Sequence, residues 1–194
     1  MLKVSWLNLW DASSFKFCQL PHRSQPVLES SKHTFSDQSL WSNILLSFKF
    51  PLILQFDTFR SDTSICVRFF TPLGELSVYG TVIGIYGNRN SGFLEDLDLQ
   101  MEDFDKLAQT NNFCIGGDLN TSFSDNYYFT QEGRLKLNTA FAKLDLLNLT
   151  ACIPQNIDHI ILTKNLIGER NIKIETWNLD KKLSDHMGVA VEIS

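Results

Sequence analysis

No stretch of this chain stays apolar for the roughly 20 residues that a bilayer crossing needs, and its start lacks a secretory signal's basic-then-apolar order. A cytoplasmic location is the expectation. Cysteine is sparse as well: Cys18, Cys66, Cys114 and Cys152 lie far apart, mostly in apolar runs, with no Cys-x-x-Cys pair. That pattern favours reduced thiols in a reducing compartment over a disulfide framework or structural zinc. Positive charge is also short, with 17 Lys+Arg against 22 Asp+Glu and a formal net charge of -5. No global field therefore draws the protein to nucleic acid or an anionic membrane, so a phosphate partner has to be held locally or through a metal. Repeats, low-complexity tracts and linkers are missing too. What remains, 194 residues that are 43% hydrophobic, is enough to bury one sizeable core and reads as a single domain, 1–194.

Strand-like runs dominate that domain. They are "SNILLSFKF" (42–50), "LILQFDT" (52–58), "SICVRFF" (64–70), "LSVYGTVIGIYG" (76–87), "FCIGG" (113–117), "IDHIILT" (157–163), "IKIETWN" (172–178) and "GVAVEI" (188–193). Most are rich in Val, Ile and aromatics and bounded by Gly, Pro, Asn or Asp. Two segments carry a helical period instead: Leu97, Met101, Phe104 and Leu107 in 92–109, and Leu137, Phe141 and Leu144 in 132–147. Strands, helix, strand, helix and strands in that order predict an α/β sandwich of sheets with helices outside, and any site belongs in its strand-end loops.

Polar residues interrupt the strands at telling places. In "NNFCIGGDLNTSF" an apolar run ends in two glycines and then presents Asp118 and Asn120, which strand alternation puts on one face. Asp158 opens "IDHIILT" among isoleucines, and Asp185 and His186 precede the last strand in "LSDHMGVAVEI". A carboxylate in such apolar company needs a partner, because an unpaired buried charge costs several kcal/mol, and His186 is the obvious one. Taken singly, each piece also has a structural reading: a turn at Asp-x-Asn, a satisfied core acid at Asp158, a solvated loop at Ser-Asp-His. Together, three carboxylates, an amide and an imidazole are the parts needed for metal-assisted attack of water on a phosphodiester.

In this order the motifs resemble those of the endonuclease/exonuclease/phosphatase superfamily, the DNase I-like and exonuclease III-like metal-dependent phosphoesterases. "IGGDLN" resembles the family's Gly-Asp-Phe-Asn strand end, "NIDHIILT" its Ile-Asp-His/Tyr-Ile strand and "LSDHMGVAVEI" its Ser-Asp-His-x-Pro strand. "WSNILLS" (41–47) and "GTVIGIYGNRN" (80–90) are similar to two further strands, so the likeness covers roughly residues 40 to 194. It implies a four-layer α/β/β/α sandwich and a hydrolase that uses Mg²⁺, with Mn²⁺ as a substitute, on a phosphodiester: DNA, RNA, a phosphoinositide or a small phosphodiester. Asp118 is then expected to orient and deprotonate the attacking water, and Asn120 to bind the scissile phosphate or help hold the metal. His186 is expected to stabilise the pentacovalent transition state, with Asp158 fixing its tautomer and raising its pKa. Asp185 joins Asp118 and Asn120 as a metal ligand, and Tyr86 and Asn88 contact phosphate. His159, one residue from Asp158, points to the opposite face and is expected to be structural.

The likeness departs from the family pattern at Leu119, where Phe is usual, and at Met187-Gly188, which replaces a residue followed by proline. It departs more at the start. "LKVSWLN" passes for the opening strand with Asn8 as its amide, but no Gln-Glu strand end, source of the principal metal carboxylate, appears before "WSNILLS", and Glu29 is the only acid with a claim. The expectation is an N-terminally truncated domain lacking the first strand-helix-strand unit. Two readings stay open: an active Mg²⁺-dependent nuclease or phosphoesterase, and a catalytically impaired member of the fold acting as a binding module or fragment. Lys181 and Lys182, just before "LSDH", either greet a phosphate or are solvated.

Overall fold

Side-chain alternation along the strands sorts the apolar residues into two layers. In the computed structural model, which describes residues 2–6, 50, 52–108 and 112–194, the elements run β1 (Leu2–Trp6), β2 (Leu52–Phe56), β3 (Ser64–Thr71), β4 (Gly74–Val82), α1 (Phe93–Leu107) and β5 (Asn112–Asp118). They continue α2 (Gln131–Lys143), β6 (Leu146–Asn148), β7 (Asp158–Thr163), α3 (Lys164–Ile167), β8 (Ile172–Trp177) and β9 (Gly188–Ile193). One sheet has the order β2-β3-β4-β5-β7-β6, the other β1-β9-β8. Strand β4 runs parallel to β5 through the crossover helix α1, and every other pairing is antiparallel.

Each central strand feeds both layers. Cys66, Tyr79, Phe113, Ile115 and Ile161 pack with Leu97, Phe104 and Leu107 of α1 and Leu137 and Phe141 of α2. Their sequence neighbours Val67, Val78, Cys114, Ile160 and Leu162 face the other way, against Leu2, Val189, Val191 and Ile193 of the small sheet. This period of two is what a strand covered on both faces requires. Fully buried Phe104 meets Tyr79 edge-on at 5.1 Å between ring centroids. Burying such a ring contributes about 2–3 kcal/mol.

The described residues build three of the expected four layers: helices, large sheet and small sheet. The outer face of the small sheet is charged, with Lys3 and Lys173 both paired to Glu175 at 2.6 and 2.8 Å. "LKVSWLN" does supply a strand, β1, in register with β9 from Leu2↔Ile193 to Trp6↔Val189. Asn8, Cys18, Glu29 and the run 41–49 lie outside the described residues.

Three expectations need correction. The strand read over 76–87 stops at Val82, because Gly84 and Gly87 take φ of 63° and 86° and turn the chain. The helix read over 132–147 ends at Lys143: Asp145 adopts φ 54°, and 146–148 leaves to become the edge strand β6. The end of "IDHIILT" runs on into the short helix α3, which its length hid from periodicity. Among the described residues, no helix is long and apolar enough to cross a membrane. Cys66 and Cys114 are buried free thiols, whereas Cys152, also expected in the core, is exposed.

Candidate active site

The same alternation that builds the core also aims the site. Asp118 has the parity of Cys114, and Asp158 that of Ile160 and Leu162, so both carboxylates belong to the face turned toward the small sheet. Strands β5 and β7 pair antiparallel, with Asp118 directly opposite Asp158. Like charges placed opposite each other on neighbouring strands are destabilising, more so when both residues are only 3% and 1% exposed. A positive partner is needed between them.

That partner comes from the loop that leads into β9. His186 Nδ1 lies 2.6 Å from Asp158 Oδ2, and ligand atoms of Asp118, Asp158 and His186 all fall within 4.8 Å of one another. Burial lowers the imidazole's proton affinity, but the Asp158 hydrogen bond and the charges of Asp158, Asp118 and Asp185 outweigh it, raising its pKa to about 9. At neutral pH His186 is therefore an imidazolium that donates through Nδ1 and leaves Nε2–H for the open side of the site. The histidine loop is tied by one residue, Asn178. Its Nδ2 donates to the Ser184 and His186 carbonyls at 2.9 and 2.6 Å, and its Oδ1 accepts from Leu183 N at 2.9 Å.

Asn120 reaches Asp118 by a different route from the one its spacing suggested. Strand β5 ends at Asp118, and Asn120 takes a left-handed φ of 46°, which Asn tolerates better than most residues. Its backbone N–H donates to Asp118 Oδ1 at 2.8 Å. Its Nδ2 donates to the Ile83 and Gly84 carbonyls at 2.9 and 3.1 Å and sits 3.4 Å from Asp118 Oδ2. Asn120 thus staples the end of β5 to the loop after β4. Gly117, just before Asp118, cannot carry a side chain, since a Cβ there meets the Thr81 carbonyl oxygen at 1.9 Å.

The remaining expected residues are placed unequally. Asn88 is buried, and among the described residues neither its Oδ1 nor its Nδ2 has a hydrogen-bond partner, a costly state for an amide in a structural position and a natural one for an amide that waits for a ligand. Tyr86 is 67% exposed. Asp185 is not brought into the tight group: its side chain is 79% exposed and its carboxylate comes only within 3.9 Å of His186 Nε2. It sits in a turn and faces solvent, whereas Asp158, within a paired strand, faces in. His159 does lie on the helix side, fully buried, with Nε2 3.0 Å from the Thr121 carbonyl and Nδ1 3.1 Å from Thr150 Oγ1. Burial pushes its pKa down to about 4 despite those bonds, so it stays a neutral strut beneath the Asn120 turn.

Sequence reasoning overlooked Asp96. Buried on α1, it accepts from Gly84 N–H, the same residue whose carbonyl holds Asn120, and pairs with Arg60 at 3.2 Å. Its signal was present: Asp96, Gln100 and Asp103, at i, i+4 and i+7, form a second, polar stripe beside the apolar one, and all three are buried. Also unforeseen was the cleft that opens from Asp158, Asp185 and His186 onto Tyr127, Gln155, Asn156 and Lys181.

Two sheets face to face with a carboxylate–imidazole cluster at the ends of their strands define a DNase I-like α/β sandwich. Solved structures carry the same fold. An endonuclease/exonuclease/phosphatase from Beutenbergia cavernae matches at a TM-score of 0.50 and 18% identity, over 67% of this chain and 38% of its own. The chain thus spans about two fifths of that protein's length. The endonuclease domain of TRAS1, a telomere-specific non-LTR retrotransposon, matches at a TM-score of 0.54 and 15% identity, over 77% of this chain and 71% of its own. A mutant beta toxin of Staphylococcus aureus, solved with bound magnesium ions, aligns more weakly, at a TM-score of 0.49 and 15% identity, over 75% of this chain and 66% of its own. No protein-family model and no curated protein sequence matches the chain.

Proposed function

We propose that this protein hydrolyses phosphodiesters with the help of a divalent cation, and that its substrate is a nucleic acid. The observation that carries the proposal is the pairing of Asp118 opposite Asp158 with the His186 imidazole 2.6 Å from the latter. Ordinary core packing gives no reason to bury two opposed carboxylates and then charge an imidazole beside them; phosphoryl transfer needs all three.

A hard cation suits the donor set. Asp118 would supply carboxylate oxygen and Asn120 amide oxygen, with water and substrate phosphate completing the shell of Mg²⁺ or Mn²⁺; Asp185, outside the tight cluster, would join only by turning in from solvent. Such an ion, when bound, supplies Lewis-acid stabilisation of charge on the phosphoryl oxygens. The chain's own residues do the rest. Asp118 accepts the proton of the attacking water, His186 Nε2–H donates to the oxygen on which negative charge grows, and Asp158 keeps His186 protonated and oriented. Asn88, with neither amide atom engaged, holds a phosphate oxygen. Asn120 fixes Asp118 relative to the loop that carries Asn88.

Nicking of supercoiled plasmid DNA tests this proposal. Nicking in Mg²⁺ or Mn²⁺ that stops in EDTA and is lost in Asp118→Asn supports it. If the wild-type chain binds DNA but nicks under no metal condition, the second reading holds, a binding module built on the same fold. Asp185's distance from the tight cluster favours that alternative, because among the described residues it leaves Asp118 as the one well-placed carboxylate not already bonded to His186.

A further inference from the structure

The cleft beside His186 carries an aromatic ring and an ammonium group that the hydrolytic chemistry does not use. Tyr127 is 48% exposed there, and Lys181 Nζ lies 5.9 Å from its ring centroid. Lys182, the neighbour, is neutralised by Asp180 at 2.7 Å, whereas Lys181 forms no ion pair among the described residues. In a protein with a formal net charge of -5, an uncompensated cation at the mouth of an acidic site is conspicuous.

Both groups are held by built loops rather than left loose. Asp125 accepts from Tyr127 N at 3.0 Å and from Gln155 N at 2.8 Å, and Ser122 N donates to the Tyr128 carbonyl, which closes the Tyr127 loop on itself. Lys181 N donates to the Asn178 carbonyl at 3.0 Å, and Asn178 is the residue that also fixes the His186 carbonyl. Lys181 itself takes a φ of 54°, a conformation a lysine adopts only when its surroundings impose it. One asparagine therefore anchors the backbone of Lys181 and that of His186 to each other.

We propose that Tyr127 and Lys181 form a nucleotide clamp: a nucleobase next to the scissile phosphate stacks on the Tyr127 ring while Lys181 contacts the neighbouring backbone phosphate. The inference rests on the hydrolase reading of the same cleft and narrows its substrate to nucleic acid with an unstacked base, that is, single-stranded or frayed. A ring with an adjacent cation is the combination by which proteins hold single strands without reading sequence, since every base has a π-face and every linkage a charge. A phosphoinositide headgroup offers charge but no planar ring, so it has no use for Tyr127.

The test is binding, separated from hydrolysis. A fluorescein-labelled thymidine oligonucleotide is titrated with the full chain in EDTA, and anisotropy is read across a salt series for the wild type, Tyr127→Ala, Tyr127→Phe and Lys181→Gln. Tyr127→Ala is expected to weaken binding about tenfold and Tyr127→Phe to restore it, because stacking needs the ring alone. Lys181→Gln is expected to reduce the slope of log affinity against log salt by about 0.7, one phosphate contact on a single strand. The proposal is overturned if Tyr127→Ala binds as the wild type does, if the salt slope ignores Lys181, or if the protein binds phosphoinositide vesicles and not the oligonucleotide. Since the assay contains no metal, a chain that binds in this way but never cleaves leaves the clamp standing and removes only the hydrolase reading.

Discussion

Replacing Asp158 with Asn should discharge His186. In the folded protein burial opposes the charged imidazole, yet its pKa rises from 6.5 to about 9, and the Asp158 hydrogen bond and charge are the largest influences raising it. At about 1.4 kcal/mol per pH unit the difference between 9 and 6.5 amounts to ~3 kcal/mol of preference for the imidazolium, and solvent at the cleft reduces the part felt as stability to ~2 kcal/mol. The sign is set by the raised folded-state value: this stabilisation is fully present below pH 6.5 and disappears as pH climbs toward 9. Wild-type thermal stability should thus decline across that window, and the Asp158→Asn variant should lose the decline. Imidazole NMR titration in EDTA reads the group directly. His186 is expected to titrate near 9 in the wild type and to fall toward 6.5 in Asp158→Asn, where burial persists and only the charges of Asp118 and Asp185 still oppose it. An unchanged value in the variant, or a wild-type value already near 6.5, would refute the coupling.

Other outcomes rest on the same structure. His159, whose pKa burial pushes down to about 4, must gain a proton on unfolding in acid, so stability should also fall as pH drops from 6.5 toward 4, and His159→Asn should flatten that limb in thermal melts. Phe104→Ala removes a fully buried ring from the helix-facing core and is expected to cost about 3–5 kcal/mol in urea unfolding. Asp96→Ala leaves Arg60 with Asp62 as its carboxylate partner but takes the acceptor from Gly84 N–H, with an expected loss of about 2 kcal/mol in the same assay. Thiol reagent should reach Cys152 in the native protein but not Cys66 or Cys114, whose thiols burial pushes up to about 12; unfolding without reductant should expose all four thiols of the chain.

The sequence reading succeeded where a local pattern decides the answer. Most of the strand-like runs and both long helices exist near their expected places, because β-branched alternation and the Leu97–Phe104 stripe leave little choice of face. The Asp158–His186 pair could be anticipated because an acid among isoleucines has to be matched. Failures came where tertiary contacts override local preference. Asn120 joins the site through a left-handed turn and not through strand alternation; strand β4 stops where Gly84 and Gly87 bend the chain; and "LDLLN" leaves a helix to become an edge strand once β7 is there to pair with it. Asp185 reads as a neighbour of His186 in sequence, yet the turn that buries the imidazole turns the carboxylate outward. Lys181 and Tyr127 lie far apart in the sequence, and only the folded chain brings them together.

The most direct test of the central claim is the rate of bis-nitrophenyl phosphate hydrolysis in Mn²⁺, Mg²⁺ and EDTA for the wild type and His186→Ala. The structure predicts slow hydrolysis that is faster with Mn²⁺ than with Mg²⁺, stops in EDTA, and drops about a hundredfold or more in His186→Ala, the loss expected when a charged donor to the reacting phosphate is removed. Hydrolysis that survives both EDTA and the loss of His186, or no hydrolysis in any metal, would contradict the assignment of Asp118, Asp158 and His186 as a hydrolytic centre.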